Sequence, residues 1–207
     1  SNLPIILFPV NVNQISSFAD AILFLSLMSG DNPEYLIHQQ VKSVKHLKRT
    51  ALEIIPTGYI LIDGGKTCTT ERITETKAIP QTEVERIVDV ALATQYSVKQ
   101  LIYLEAGSGA KYPVHPRIIK AVKAQIDLPL IVGGGIRTED QRKSAYQAGA
   151  DIVVMGTAFE KYKNSNTRGS TIYNSGFVQP LIGKDEDETD ELRYNLKSGI
   201  NAMINNN

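Results

Sequence analysis

The stretch Leu130-Ile131-Val132-Gly133-Gly134-Gly135-Ile136-Arg137 joins a short apolar run to three consecutive glycines. A similar order returns at Asp151-Ile152-Val153-Val154-Met155-Gly156-Thr157. Short apolar runs of this kind are typical of parallel strands that are buried on both faces. Glycine at the carboxyl end of such a strand lets backbone N–H groups approach an anion without interference from a Cβ atom. Two such strands, one helix apart, predict the phosphate-binding corner of a (β/α)₈ barrel.

Composition limits the class of protein. The 207 residues predict one domain with a substantial core. The 22 basic and 22 acidic residues cancel, which argues against nucleic acid or an anionic membrane surface as a partner. The single cysteine, Cys68, fits a reducing cytoplasm, which is the expected location. No apolar run reaches the roughly 20 residues of a membrane span, and residues 1–4 show no signal-peptide pattern.

Strand-like and helical patterns alternate over residues 1–161, and they predict six βα units. The predicted strands are 4–9, 21–27, 53–62, 101–105, 129–132 and 152–155, and the predicted helices include 33–48, 81–93, 116–125 and 138–148. Residues 66–80 are polar and are predicted to form a long working loop. Alternation of this kind gives either a barrel or an open doubly wound sheet. An open sheet usually carries its glycine signature after the first strand, so the late glycines favour a TIM barrel.

The composition changes after residue 161. Residues 162–176 are polar and linker-like, and residues 177–207 contain two strand-like runs, 177–182 and 201–204, around a helical pattern. Six strands and these two make eight, so we expect the tail to complete one barrel domain over residues 1–207. The alternative is a flexible tail with one helix.

A second motif, Tyr103-Leu104-Glu105-Ala106-Gly107-Ser108-Gly109-Ala110, places a carboxylate at a strand end before a loop of small residues. Ligands meet the carboxyl ends of barrel strands, so Glu105 is predicted to face the substrate. A carboxylate whose pKa is raised by burial can accept a hydroxyl proton. The alternative is an ion pair between Glu105 and a basic neighbour. Tyr103 either donates to a substrate oxygen or belongs to the core.

Other polar residues leave alternatives open. Arg137 follows the glycines and is expected to pair with a phosphate or with Glu139. Lys66 contacts phosphate or remains in solvent. The three histidines have no metal-site spacing and are interpreted as surface residues: His38, His46 and His115.

Together these motifs resemble the geranylgeranylglyceryl phosphate synthase family, which includes the bacterial PcrB-type heptaprenylglyceryl phosphate synthases. The resemblance covers about residues 3–161. It is carried by segments 3–9, 25–30, 32–37, 55–60, 103–110, 132–137 and 156–157. It implies a TIM barrel, a homo-oligomer and an enzyme of phospholipid biosynthesis.

The resemblance implies a prenyltransferase that uses Mg²⁺ to join sn-glycerol 1-phosphate to a polyprenyl diphosphate through an ether bond. The implied catalytic residues are Glu105, which would orient or deprotonate the C3 hydroxyl, and Tyr103. An apolar groove across the barrel top would hold the prenyl tail. The implied substrate-binding residues are Tyr103, Leu104, Glu105, Ala106, Gly107, Ser108, Gly109, Gly133, Gly134, Gly135, Gly156 and Thr157.

The chain departs from the family pattern where the metal ligands are expected. Family members begin with two βα units that are lacking at the start of this sequence, and the Asp that binds Mg²⁺ follows the first of their strands. Residues 172–174 resemble a segment near family N-termini, which predicts a circular permutation with 177–184 and 198–204 as the first two strands and one helix missing. Neither segment supplies the Asp, so the metal ligands are unknown. The alternatives are a phosphate-binding barrel without catalysis and another phosphate-using TIM-barrel enzyme.

Overall fold

The structure is a computed structural model that describes residues 4–9, 12–156 and 181–182. Its strands are β1 (Ile6–Leu7), β2 (Ala21–Leu27), β3 (Glu53–Leu61), β4 (Leu101–Glu105), β5 (Leu130–Gly133), β6 (Ile152–Val154) and β7 (Leu181–Ile182). Its α-helices are α1 (Gln39–Leu47), α2 (Thr69–Thr74), α3 (Val84–Tyr96), α4 (Pro116–Lys123) and α5 (Glu139–Gln147). A 3₁₀ turn covers Val12–Gln14, and a π-helical turn, Glu34–His38, leads into α1. Over these ranges no helix is long and apolar enough to cross a membrane.

The sheet has the strand order of a barrel. Strands β1 to β6 follow one another in space as they do in sequence, and each neighbouring pair is parallel. A doubly wound sheet instead reverses its order at a switch point. The sequential order confirms the choice of a barrel-type arrangement over an open doubly wound sheet.

The sheet is strongly curled. The ring of Phe8, which follows β1, lies 5.3 Å from the ring of Tyr103 on β4 and 5.7 Å from the ring of Tyr59 on β3. Across a flat sheet, β1 and β4 would stand about 14 Å apart, since neighbouring strands are separated by about 4.8 Å. The three aromatic rings therefore meet on a concave face.

Alternating side chains on each strand separate two apolar clusters. Ile60, Ile102 and Leu104 point to the convex face, where they pack with helix residues such as Ile87 and Ile118. Tyr59 and Tyr103 belong to the second cluster, on the concave face, together with Leu23, Ile131 and Val154. Both faces of the central strands are buried, which explains their continuous apolar sequences.

Local capping explains where two of the predicted helices begin. The Asn32 carboxamide oxygen accepts a hydrogen bond from the Glu34 N–H at 3.0 Å. Thr138 and Gln141 form a reciprocal capping box at the start of α5. Both predicted caps are confirmed. The long loop predicted at 66–80 is wrong in part, because Cys68 and Glu71 cap the short helix α2 inside it.

The tail is described only at β7. Residues 181 and 182 form a strand, as predicted, but it pairs antiparallel with β6. The permuted order requires a parallel pair at this position, so this pairing does not support it. The linker, the second tail strand and the tail helix lie outside the described residues, and an eight-stranded closed barrel stays a prediction.

Close packing of α3 on β3 gives a test of the fold. A Cβ atom at Gly58 would lie 2.0 Å from the Thr94 methyl carbon. We expect Gly58→Ala to lower the free energy of unfolding by about 2 kcal/mol, since overpacking strains a dense core. Thr94→Ala removes that methyl group, so the double variant should be less destabilised than the sum of the single changes. Urea denaturation measures all four proteins, and strict additivity would contradict the contact.

Candidate functional site

The two glycine-bearing motifs meet at the carboxyl ends of β4 and β5. Glu105, the last residue of β4, is the register partner of Gly133, the last residue of β5. The Ala106 N–H donates to the Gly133 carbonyl oxygen at 3.0 Å. The predicted carboxylate and the predicted phosphate corner therefore form one continuous site.

Glu105 is a buried carboxyl group, with 4 % of its surface exposed. Its Oε1 accepts a hydrogen bond from the Gly107 N–H at 2.8 Å, and its side chain is hydrogen-bonded to Tyr103. Burial raises the pKa of Glu105 to about 7, although both hydrogen bonds favour the ionised form and oppose that rise. In the part of the chain that the structure describes, no Lys, Arg or His forms an ion pair with Glu105, so the alternative of a salt-bridged Glu105 finds no support.

Tyr103 packs in the apolar core and also contacts Glu105 in the site. Its ring packs at 5.5 Å from Tyr59, and 1 % of the residue is exposed. Burial, and then the neighbouring Glu105 charge, raise the pKa of Tyr103 well above its usual range. The phenol therefore stays protonated at neutral pH, and its hydroxyl is hydrogen-bonded to Glu105.

The glycines of β5 are needed for close approach to Glu105. A Cβ at Gly133 would lie 2.4 Å from the Tyr103 hydroxyl oxygen and 2.8 Å from Glu105 Oε2. A Cβ at Gly134 would lie 2.5 Å from Glu105 Oε1 and 2.6 Å from the Gly107 nitrogen, and Gly134 has φ +80°. No larger residue fits at either position without displacing the carboxylate.

The two loops present unused backbone donors. Among the described residues, no acceptor receives the N–H groups of Ser108, Gly109, Gly134 and Gly135. Consecutive N–H groups in loops with positive φ form concavities that bind anions. This arrangement suits a phosphate group.

The remaining predicted site residues are spread more widely. Leu104 points to the convex face and belongs to the apolar core there, so only its backbone can face the site. Gly156 lies just after β6, and Thr157 lies outside the described residues. Lys66 is exposed. The three histidines are exposed, as predicted.

The structure corrects the prediction for one Arg137 partner. Glu139 is bound by Arg142, and the Arg137 guanidinium instead donates to the carbonyl oxygens of Ala110 and Gly135. The cause is local. The Arg137 N–H is bonded to Gln141 at the start of α5, whereas Arg142 lies one helical turn from Glu139 and pairs with it.

An apolar groove adjoins the site. Its lining combines side chains of β2, the region of Phe8 and Pro9, and the helical segment that contains Tyr35 and Gln40. Tyr59 also lines it, and Tyr59 contacts Tyr103. The groove therefore reaches the aromatic cluster next to Glu105.

The described residues contain no group of three or more His, Cys, Asp or Glu side chains that would hold a metal ion. Mg²⁺ prefers several oxygen ligands with octahedral geometry. Glu105 by itself does not form such a set of ligands within the described residues.

Comparison with known proteins identifies the family. The model of the PcrB family matches residues 1–174. The chain belongs to the PcrB family. A geranylgeranylglyceryl phosphate synthase of Zunongwangia profunda is 57% identical over 160 residues, which cover 77% of this chain and 68% of that protein. The Thermococcus kodakarensis protein of the same name is 48% identical over 161 residues, covering 78% and 63%.

A solved structure of this kind has the same fold. The (S)-3-O-geranylgeranylglyceryl phosphate synthase of Thermoplasma acidophilum, in complex with its substrate sn-glycerol-1-phosphate, superposes with a TM-score of 0.74 at 40% identity. The match covers 78% of this chain and 64% of that one. The PcrB-family chain thus spans about two thirds of the length of these relatives.

Sequence reasoning missed three residues that shape the site. Phe8 and Tyr59 complete the aromatic cluster around Tyr103. The third is Cys68: a Cβ at Gly107 would lie 2.6 Å from the Cys68 Cβ. Burial raises the pKa of the Cys68 thiol. An aromatic residue in a strand usually indicates only a core position. No sequence pattern therefore predicted that the rings of Phe8, Tyr59 and Tyr103 contact one another.

The close approach at Gly134 can be tested against a matched position. Gly134 and Gly109 both have positive φ, but a Cβ at Gly109 meets nothing within 4 Å. We expect Gly109→Ala to cost about 1 kcal/mol from backbone strain alone. Gly134→Ala adds a clash with Glu105 and should cost about 3 kcal/mol. Chemical denaturation compares the two, and equal losses would contradict the predicted contact.

Burial of Glu105 predicts a pH dependence of stability. The pKa of Glu105 is about 7 in the folded protein and 4.5 without burial. Between these values the folded state keeps a proton that the unfolded chain releases, so the free energy of unfolding falls as pH rises, by about 3 kcal/mol. Glu105→Gln should remove this part of the slope. Urea denaturation from pH 4.5 to 7.5 measures it, and parallel curves for the two proteins would contradict the burial of a titrating carboxyl group.

Proposed function

We propose that this chain is a prenyltransferase that forms an ether bond between sn-glycerol 1-phosphate and a polyprenyl diphosphate in lipid biosynthesis. The observation that carries the proposal is that three features adjoin one another: a buried carboxyl group with a raised pKa, unused backbone donors beside it, and an apolar groove lined in part by Phe8 and Tyr59 of the aromatic cluster. The relatives named above support the choice of substrates.

In this proposal the phosphate group binds to the backbone donors of the two loops. N–H groups at Ser108, Gly109, Gly134 and Gly135 are positioned to bind its oxygens, and a binding role for Gly156 and Thr157 belongs to the same proposal. Phosphate bound there directs the glycerol toward Glu105. Tight packing of the two loops keeps the donors in place before the substrate arrives.

Glu105 is the proposed base. A pKa of about 7 is close to neutral pH, which suits a group that accepts a proton from the C3 hydroxyl. Tyr103 orients the Glu105 carboxylate through its hydroxyl and stays protonated. The C3 oxygen forms a bond to C1 of the prenyl chain as the bond from C1 to the diphosphate oxygen breaks, and diphosphate leaves.

The apolar groove is the proposed site of the prenyl tail. Apolar side chains of β2 and the ring of Tyr35 line it, and burial of a hydrocarbon chain there releases water from both surfaces. Tyr59 lies where the groove meets the Tyr103 cluster. In this proposal the reactive end of the prenyl chain points toward Glu105.

Mg²⁺ remains a prediction from the family resemblance. Ligands for it are not found in the described ranges, so no step above depends on a metal. A homo-oligomer is likewise proposed on the resemblance, and a cytoplasmic location is proposed on the single cysteine, Cys68. Titration with EDTA tests the metal requirement, and light scattering of the purified protein tests the oligomer.

The decisive experiment is synthesis of the ether. The protein is incubated with sn-glycerol 1-phosphate, Mg²⁺ and either geranylgeranyl or heptaprenyl diphosphate, and the lipid product is detected by mass spectrometry. We expect an ether product with sn-glycerol 1-phosphate and little with its enantiomer. Absence of product with every chain length tested would contradict the proposal.

Glu105→Gln should reduce kcat by about a hundredfold or more, because it removes the base and keeps the shape of the side chain. For the unaltered protein, kcat/KM should rise with pH through a pKa of about 7. Glu83→Gln is a suitable control, because Glu83 is an exposed carboxylate paired with Arg86. Equal activity of the Glu105 and Glu83 variants would contradict the role of Glu105.

One second candidate is a phosphate-binding barrel without catalysis, because the sequence does not supply the Asp that binds Mg²⁺ in the family pattern. Calorimetry separates the two. A protein without catalysis should bind sn-glycerol 1-phosphate but show no Mg²⁺-dependent binding of diphosphate. The family match argues against the remaining alternative, another kind of phosphate-using barrel enzyme.

A further inference from the structure

The guanidinium of Arg137 links the two loops of the candidate site. Its Nη2 donates to the carbonyl oxygen of Ala110, which ends the loop after β4. Its Nη1 donates to the carbonyl oxygen of Gly135 at 3.3 Å, in the turn after β5. One side chain thus spans the gap between the two sets of backbone donors.

The backbone of Arg137 is itself held by the start of α5. The Arg137 N–H donates to Gln141 Oε1 at 2.7 Å. The same Gln141 oxygen closes the capping box by accepting from the Thr138 N–H. The backbone of Arg137 is therefore fixed at the start of α5. Its side-chain contacts can then fix the positions of the two loops relative to that helix.

The opposite side of the β4 loop has other supports. The N–H groups of Lys111 and Tyr112 donate to the Gly64 carbonyl oxygen. The Gln81 carboxamide donates to the Asp63 and Pro113 carbonyl oxygens. The loop is thus tied to β3 by several bonds. Among the described residues, Arg137 is the side chain that ties it to the β5 turn.

We propose that Arg137 is a positioning residue, which holds the loop Ala106–Ala110 against the turn Gly133–Gly135 so that their N–H groups converge on one phosphate. This inference rests on the proposed function. In this inference Arg137 fixes the relative position of the two loops and does not contact the substrate directly. Its forked guanidinium can donate to two carbonyls at once, and a lysine ammonium at the same place would lack that planar fork.

Loosening of the loop has a consequence for Glu105. The Gly107 N–H belongs to this loop and donates to Glu105 Oε1, which favours the ionised carboxylate. The titratable groups that face Glu105 are Tyr103 on β4 and Tyr59 on β3. Weakening the Gly107 bond should therefore raise the pH at which Glu105 becomes a base, by about half a unit.

The test compares Arg137→Lys and Arg137→Met with Arg142→Lys. Arg142 is a second arginine of the same region, and its partner is Glu139. Calorimetry measures binding of sn-glycerol 1-phosphate, NMR measures amide exchange at Gly107, and steady-state kinetics give KM for each substrate and the pH profile.

A positioning role predicts that both Arg137 variants weaken sn-glycerol 1-phosphate binding by about tenfold, to similar extents. They should speed exchange at Gly107 and shift the acidic limb of kcat/KM to higher pH, with KM for the prenyl diphosphate unchanged. Arg142→Lys should leave all these values unchanged.

Two results would overturn the inference. One is retention of affinity by Arg137→Lys together with its loss in Arg137→Met, which indicates direct charge contact with phosphate. The other is unaltered Gly107 exchange in both variants. If the unaltered protein binds sn-glycerol 1-phosphate but makes no ether, the proposed function fails while these measurements still decide the role of Arg137.

Discussion

A buried carboxyl group is the constraint around which the site is arranged. Removing Glu105 from water penalises its charged form, and within the described part of the chain two hydrogen bonds, from Tyr103 and Gly107, offset that penalty. Both donors are held by neighbouring packing: Tyr103 lies in an aromatic cluster, and Gly107 packs against Cys68. The curl of the sheet, which brings Phe8 to Tyr103, thus helps to hold one of the two hydrogen-bond donors of Glu105 in place.

The glycines follow from the same constraint. A side chain at Gly133 or Gly134 would occupy the volume of the carboxylate and its hydrogen-bond partners. The absence of a Cβ atom therefore has two effects, since it admits Glu105 on one side and leaves N–H groups open on the other. The proposed phosphate site and the proposed base therefore share one set of small residues, and a change to either is expected to affect the other.

Much of the fold could be predicted from the sequence, because the patterns that indicate strands and helix starts are local. Apolar runs with late glycines predicted the strands and their order, and Asn32 and Thr138 predicted helix starts that the structure confirms. The meeting of Phe8, Tyr59 and Tyr103 depends on sheet curvature, which no local pattern encodes. The Arg137 contacts were missed for a related reason. Both partners are backbone carbonyl oxygens, which every residue has, so no particular residue type in the sequence indicates them. The roles of the site residues in catalysis and substrate binding stay predictions.

Because Cys68 lies against Gly107, the reactivity of its thiol can report on the opening of the loop after β4. Cys68 is the one thiol of the sequence, and its pKa is raised by burial beneath the loop after β4. A thiolate-directed reagent can reach it only when the surrounding structure opens, so the labelling rate follows the opening equilibrium of that region. A ligand that closes the loop should slow the labelling. Occupancy of the site could then be followed by chemical modification, with no need for turnover or for a known prenyl substrate.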